Sequence, residues 1–181
     1  MAPNVKVVIV DYDPEWPALF EAERKRIMEA LGDPDANIVH MGSTSVPGLG
    51  AKPIIDMMMG IGGKEEADRL QKALEGVGYM DVTPEPDDTE WFYCLGYGTR
   101  ELYHHLHLVV EGSRHWRRQL AFRDYLRAHP DTAEEYHEVK KRLADHYGEN
   151  RTGYTDAKTE FITGVLKKVD ASALNEAEEK V

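Results

Sequence analysis

The sequence predicts an α+β domain in which a mixed β-sheet is covered by helices. Three observations lead there. Short runs rich in Val, Ile, Leu and Met at 38–41, 53–61 and 102–110 alternate with a segment of helical apolar spacing. The last third of the chain reads as successive helices, with apolar residues at helical intervals among charged ones. The 181 residues, 41% apolar and 30% charged, have the composition of one globular domain large enough for a real core.

The elements follow in order. Residues 5–10 are β-rich and end in Asp11-Tyr12-Asp13-Pro14. Asp13 suits a helix N-cap and Pro14 the first turn, where its missing N–H costs nothing. That helix is expected to reach about Leu31, bury Trp16, Leu19, Phe20, Ile27 and Leu31, and stop at Gly32-Asp33-Pro34. A strand at 38–41 feeds a Ser/Thr/Gly-rich turn, and the strand at 53–61 is apolar except around Asp56. Ala67, Leu70, Leu74 and Val77 mark a helix closed by Gly76 and Gly78. Residues 79–82 read as a strand, 83–90 as an acidic, Pro-rich loop, and 91–97 and 102–110 as further strands. Helices at about 114–128, 132–147 and 156–169 complete a single domain spanning 1–170. The acidic tail 171–181 lacks apolar anchors and is expected to fray.

Charge and composition exclude several functions. Lys and Arg number 22 against 33 Asp and Glu, a formal net charge of −11. A long nucleic acid needs a basic footprint to displace its counterions, so no such partner is expected. Five arginines between Arg114 and Arg127 still leave room for a small anion. No apolar run reaches the roughly 18–20 residues of a membrane span, and no secretory leader is visible, so the expected location is cytoplasmic. The one cysteine, Cys94, allows neither an intrachain disulfide nor a CxxC zinc site and reads as a small packed residue.

Three features stand above the scaffold. Gly42-Ser43-Thr44-Ser45 follows a strand and exposes N–H groups and hydroxyls with little bulk, as phosphate binding needs. A plain polar connection is the other reading. Asp56 interrupts a strand otherwise fit for burial, so its carboxylate must meet a cation, a donor network or water. In Tyr103-His104-His105-Leu106-His107, alternation puts His105 and His107 on one face, where they either converge on a metal or phosphate or find local partners. His104 falls on the other face as a bonded or edge histidine. His115, His129, His137 and His146 lie on charged helices and read as surface. Lys140 and Lys158 border apolar stripes and are expected to snorkel, with Lys158 meeting an anion if its helix borders a cleft.

These residues carry a resemblance. His40-Met41-Gly42-Ser43-Thr44-Ser45-Val46-Pro47-Gly48-Leu49, followed by Ala51-Lys52-Pro53-Ile54-Ile55-Asp56, resembles the hallmark segment of the GrpB family (UPF0157). The likeness continues through Tyr12-Asp13-Pro14-Glu15-Trp16 and His105-Leu106-His107. It goes on in 120–127, Tyr136 with Lys140, and Tyr154 with Lys158, Phe161 and Ile162. The resemblance implies a nucleotidyltransferase-like fold of the polymerase-β type with C-terminal helices. In that superfamily a Gly-Ser grips a nucleoside triphosphate, a D-x-D/E pair binds divalent metal, and a later strand adds a third carboxylate. Gly42-Ser43 and Asp56 fall at the first two places, but Met58 stands where the second carboxylate belongs. The later strand offers His105 or His107 instead of an acid, with Glu90, Glu101 or Glu111 as other sources of oxygen. Thr89-Glu90-Trp91-Phe92-Tyr93 is acidic and aromatic where relatives carry basic residues.

The function this implies is metal-assisted transfer of a nucleotidyl or related phosphoryl group from an NTP to a small molecule. Asp56 and His105 would be catalytic, and Asp56, His107 and His105 would hold a divalent metal (Mg²⁺, Mn²⁺ or another transition metal). Gly42, Ser43, Thr44, Ser45, Lys52, Arg123 and Lys158 would hold phosphate. The alternatives are a degenerate nucleotide- or small-anion-binding protein, and a single-metal hydrolase using Asp56, His105 and His107. Oligomeric state is left open.

Overall fold

Two faces of one sheet carry different chemistry, and the helices divide accordingly. The computed structural model describes residues 6–83, 90–96 and 103–178. Its strands are β1 (Ile38–Met41), β2 (Ile54–Ile61), β3 (Met80–Asp81), β4 (Glu90–Leu95) and β5 (Tyr103–Val110). They lie in the order β1-β2-β5-β4-β3; β2 and β5 run parallel and the other neighbours antiparallel. The helices are α1 (Trp16–Leu31), α2 (Lys64–Gly76), α3 (Arg114–Ala128), α4 (Pro130–Tyr147) and α5 (Arg151–Glu178). No described helix is long and apolar enough to cross a membrane.

Side-chain alternation sorts the core. Ile55, Met57, Met59 and Ile61 of β2, with Leu106 and Leu108 of β5, face Trp16, Phe20 and Ile27 of α1 and Ala67 and Leu74 of α2. On the opposite face Met41, Met58 and Val109 pack under Trp116 of α3. That face turns polar toward the N-terminal end of β5, where Asp56 and His105 stand opposite each other in register. Burial of β2 on both faces is why its sequence is nearly continuously apolar.

The expected element order holds, with differences at several ends. Val7–Val10 is no strand: Val10 makes one isolated bridge to Ala51, and the Val7 N–H donates to the Gly148 carbonyl. The run meets a loop and a helix end instead of a sheet edge, leaving Val8 exposed. Helix α1 starts at Trp16, because Asp13 spends its carboxylate on the Glu15 N–H in a turn one step earlier, and Glu15 makes no side-chain cap. The strand expected at 79–82 shrinks to two residues, both exposed. Pro130 opens α4, and α5 is longer at both ends than the 156–169 expected. Most of the 83–90 loop, residue 97 of the next strand, residues 101–102, and residues 179–181 of the tail lie outside the described residues.

Candidate functional site

Register assembles the site. Asp56 pairs with His105 across the parallel β2–β5 ladder, and His107 pairs with Phe92 across the antiparallel β4–β5 ladder. Nδ1 of His105 lies 2.9 Å from Oδ1 of Asp56, and Nδ1 of His107 lies 2.7 Å from Oε1 of Glu90. An ionised carboxylate only accepts, so each imidazole donates through Nδ1. The Phe92 ring stacks on His107 at 4.5 Å and meets His105 edge-on at 4.9 Å, restricting both rings. Burial pushes the Asp56 carboxyl up, but the His105 hydrogen bond and the charges of His105, His107 and Lys52 outweigh it and hold its pKa below the usual value. Asp56, His105 and His107 each offer a ligand atom, all within 4.8 Å of one another.

The Gly42–Ser45 turn lies against this group. Gly42 has φ 69° and ψ −173°, and a β-carbon there would stand 2.5 Å from Oδ2 of Asp56. Thr44 and Ser45 are buried and spend their hydroxyls on backbone carbonyls: Thr44 Oγ1 donates to that of Ile54 at the start of β2, and Ser45 Oγ to that of Gly42. Because the Thr44 proton is committed, the 3.0 Å contact with His40 Nε2 has the imidazole donating. Burial first, and the Arg127 and Arg123 charges next, pull His40 down to about 4 despite Asp56, so this imidazole stays neutral. Ser43 faces the cavity and is hydrogen-bonded to Tyr136.

Cations hold the same loop by its carbonyls. Arg123 donates to the His40 carbonyl, Arg127 donates twice to that of Ser45, and Lys140 donates to that of Gly50. Lys140 does not snorkel. It is 2% exposed, with its ammonium group inside against the Tyr136 ring. Lys158 and Lys52 both lie over the Tyr154 ring. Burial, then repulsion from Lys158 and Lys52, lowers Lys140 to about 7; burial, then Lys52, lowers Lys158 to about 8. These groups line a cavity of about 590 Å³, with Asp56, His105, His107, Lys52, Arg118, Arg123, Lys140 and Lys158 all on its wall.

Sequence reading missed several members. His115, taken as surface, lines the cavity with Nδ1 3.5 Å from Oε2 of Glu90. The Ser113 side chain caps α3 and so sets its first turn at the sheet, a start signal legible in Ser113-Arg114. His137, expected at the surface, presses on Gly50 and has a buried Nδ1 without a hydrogen bond among the described residues. His104 is not at an edge: β5 is central, and the Nδ1 of His104 is likewise buried and unpaired among the described residues. Glu111 is hydrogen-bonded to Asn37 at the far end of the sheet, and Glu101 lies outside the described residues. Met58, beneath α3, is fully buried.

A family model described as GrpB protein matches residues 6–168. A UPF0157 protein of Halalkalibacterium halodurans is 37% identical over 169 residues, 93% of this chain and 85% of that protein. The crystal structure of the conserved protein GrpB from Enterococcus faecalis is similar with a TM-score of 0.79 and 30% identity, over 92% of this chain and 99% of that one. Cid1 poly(U) polymerase with MgGTP bound has a similar fold at 16% identity, with a TM-score of 0.52 over 76% of this chain and 44% of that one. The architecture is therefore nucleotidyltransferase-like. With the hallmark turn, the Asp56 strand and the paired histidines all inside the matched span, this chain belongs to the GrpB family.

Proposed function

We propose that the cleft performs metal-assisted transfer of a nucleotidyl or related phosphoryl group from a nucleoside triphosphate to a small molecule. The observation that carries this reading is the cavity's composition: a metal-competent Asp56, His105 and His107 group shares about 590 Å³ with Lys52, Lys140 and Lys158. Ammonium groups packed this closely repel one another, and a polyanion relieves that repulsion. Gly42 and Ser43 at the strand end, with Lys52, Lys158 and Arg123, would hold the phosphates. Thr44 and Ser45 would contribute by keeping the turn in shape. The nucleotide complex of Cid1, a polymerase of similar fold, supports a nucleotide ligand here.

Asp56, His105 and His107 would hold the divalent cation. One carboxylate and two imidazoles fit Mn²⁺ or another transition metal better than Mg²⁺, which prefers oxygen ligands and near-octahedral geometry. Such a cation supplies positive charge where negative charge gathers on the transferred group. His105 would either join that ligand set or take the proton of the acceptor.

A second reading has its own observation. Met58, at the place of the second carboxylate, is fully buried between Met41, Val109 and Trp116. It leaves the β2 strand with one acid at the site, which favours binding of a nucleotide or small anion without turnover.

A thermal-shift matrix of the four NTPs with Mg²⁺, Mn²⁺ or no metal, run beside Asp56→Ala, tests both. A ligand at 100 times its dissociation constant adds about 2.7 kcal/mol, or roughly 5–10 °C in a domain of this size. A metal-dependent shift abolished by the substitution is expected, and product formation then separates transfer from binding. No shift with any NTP ends the nucleotide reading.

A further inference from the structure

We infer that Glu90 belongs to the metal centre as the residue that positions His107, and that the centre selects a transition metal over Mg²⁺. This rests on the proposed metal role of Asp56, His105 and His107. Glu90 comes from β4, outside the Asp56 strand and outside the histidine strand. Its Oε1 accepts from His107 Nδ1 at 2.7 Å, and its Oε2 lies 3.5 Å from His115 Nδ1. Asp56 treats His105 the same way, accepting from Nδ1 at 2.9 Å. Neighbouring histidines of one strand are thus each held at Nδ1 by a carboxylate from a different flanking strand. For His107 this leaves Nε2 as the nitrogen turned away from Glu90, and Phe92 packs on both rings.

A carboxylate on the remote nitrogen fixes the tautomer and rotation of a ligating imidazole and raises its basicity. A ligand group with two imidazoles suits Zn²⁺ or Co²⁺, whereas Mg²⁺ gains little from imidazole. A merely structural Glu90–His107 pair would need no metal-competent neighbours, yet His107 sits within the ligand group.

The test is a metal titration of the whole chain stripped with a chelator, using Co²⁺ and Zn²⁺ against a chromophoric competitor and Mg²⁺ by calorimetry. Glu90→Gln, Glu90→Asp, His107→Ala and Asp56→Asn are compared with wild type, with circular dichroism as the folding control. Glu90→Gln keeps an acceptor of the same size without the charge, and is expected to weaken Co²⁺ and Zn²⁺ binding about 10–100-fold. Its Co²⁺ absorption bands should keep the wild-type pattern, since the ligands themselves remain. Glu90→Asp, with charge but without reach, should weaken binding as well, and His107→Ala should change the bands. Wild-type Co²⁺ affinity in both folded Glu90 variants overturns the role of Glu90 and leaves the metal reading intact. Mg²⁺ binding tighter than Co²⁺ overturns the selectivity. No binding of any transition metal by wild type removes the metal reading and this inference together.

Discussion

A β-carbon on Gly42 would lie 2.5 Å from Oδ2 of Asp56, closer than the two atoms can approach. Gly42 also holds φ 69° with ψ −173°, a backbone region essentially confined to glycine. Gly42→Ala is expected to cost about 1–3 kcal/mol in urea unfolding. It should also push Asp56 off His105 and weaken Co²⁺ binding by at least about tenfold. Unchanged metal affinity in the folded variant would separate Asp56 from the metal.

Asp56 itself carries the sharper expectation. Asp56→Asn keeps the side chain's size but removes the charge that His105, His107 and Lys52 all favour. Any NTP-dependent turnover should fall by about 10²–10³ or more, with the circular dichroism spectrum intact. Turnover assays on the purified variant decide this, and activity near wild type would move the chemistry away from Asp56.

The lysines predict a pH dependence. Lys140 near 7 and Lys158 near 8 both lie below their ordinary 10.5. Below about 7 both are charged, and raising the pH through 7 and then 8 neutralises them in turn. Tripolyphosphate affinity should therefore fall as pH rises across this window, by up to about tenfold per pH unit for each linked proton. Near neutrality, binding should take up protons, visible as a buffer-dependent heat in calorimetry. The same shifts make the unfolded chain bind more protons between the folded and unfolded values, so these lysines raise stability as pH climbs through that range. Affinity flat with pH would place the anion elsewhere.

Met58 should resist conversion to an acid. It is fully buried with Met41, Val109 and Trp116 around it. Met58→Asp loses that packing and buries a carboxylate, costing about 3–5 kcal/mol. A lower melting temperature with no gain in Mg²⁺ affinity is expected. Tighter Mg²⁺ binding at wild-type stability would show that the position opens to the site.

Local patterns made much of the fold legible. The apolar spacing of α1 and α2, the continuous apolar strand around Asp56 and the alternation of β5 are properties of short windows, and the structure realises them. Where local signals erred, a distant partner decided. The β-rich Val7–Val10 run met Ala51 and Gly148 instead of a strand of the sheet, and the Lys140 ammonium was drawn inside by the Gly50 carbonyl of a loop far away in sequence.

The site divides along the same line. Gly42 and Ser43 at a strand end, Asp56 within an apolar run, and His105 with His107 on one face are all legible in the chain itself. Each follows from residue type and a period of two along one strand. Packing between elements sets β4 beside β5 and Glu90 onto His107, brings His115 in the first turn of α3 to Glu90, and gathers Lys140 of α4 and Lys158 of α5 around the same cavity as Asp56. Those relationships join residues from separate elements. Strand order and helix docking are set by the packing of the whole core, which no local window contains.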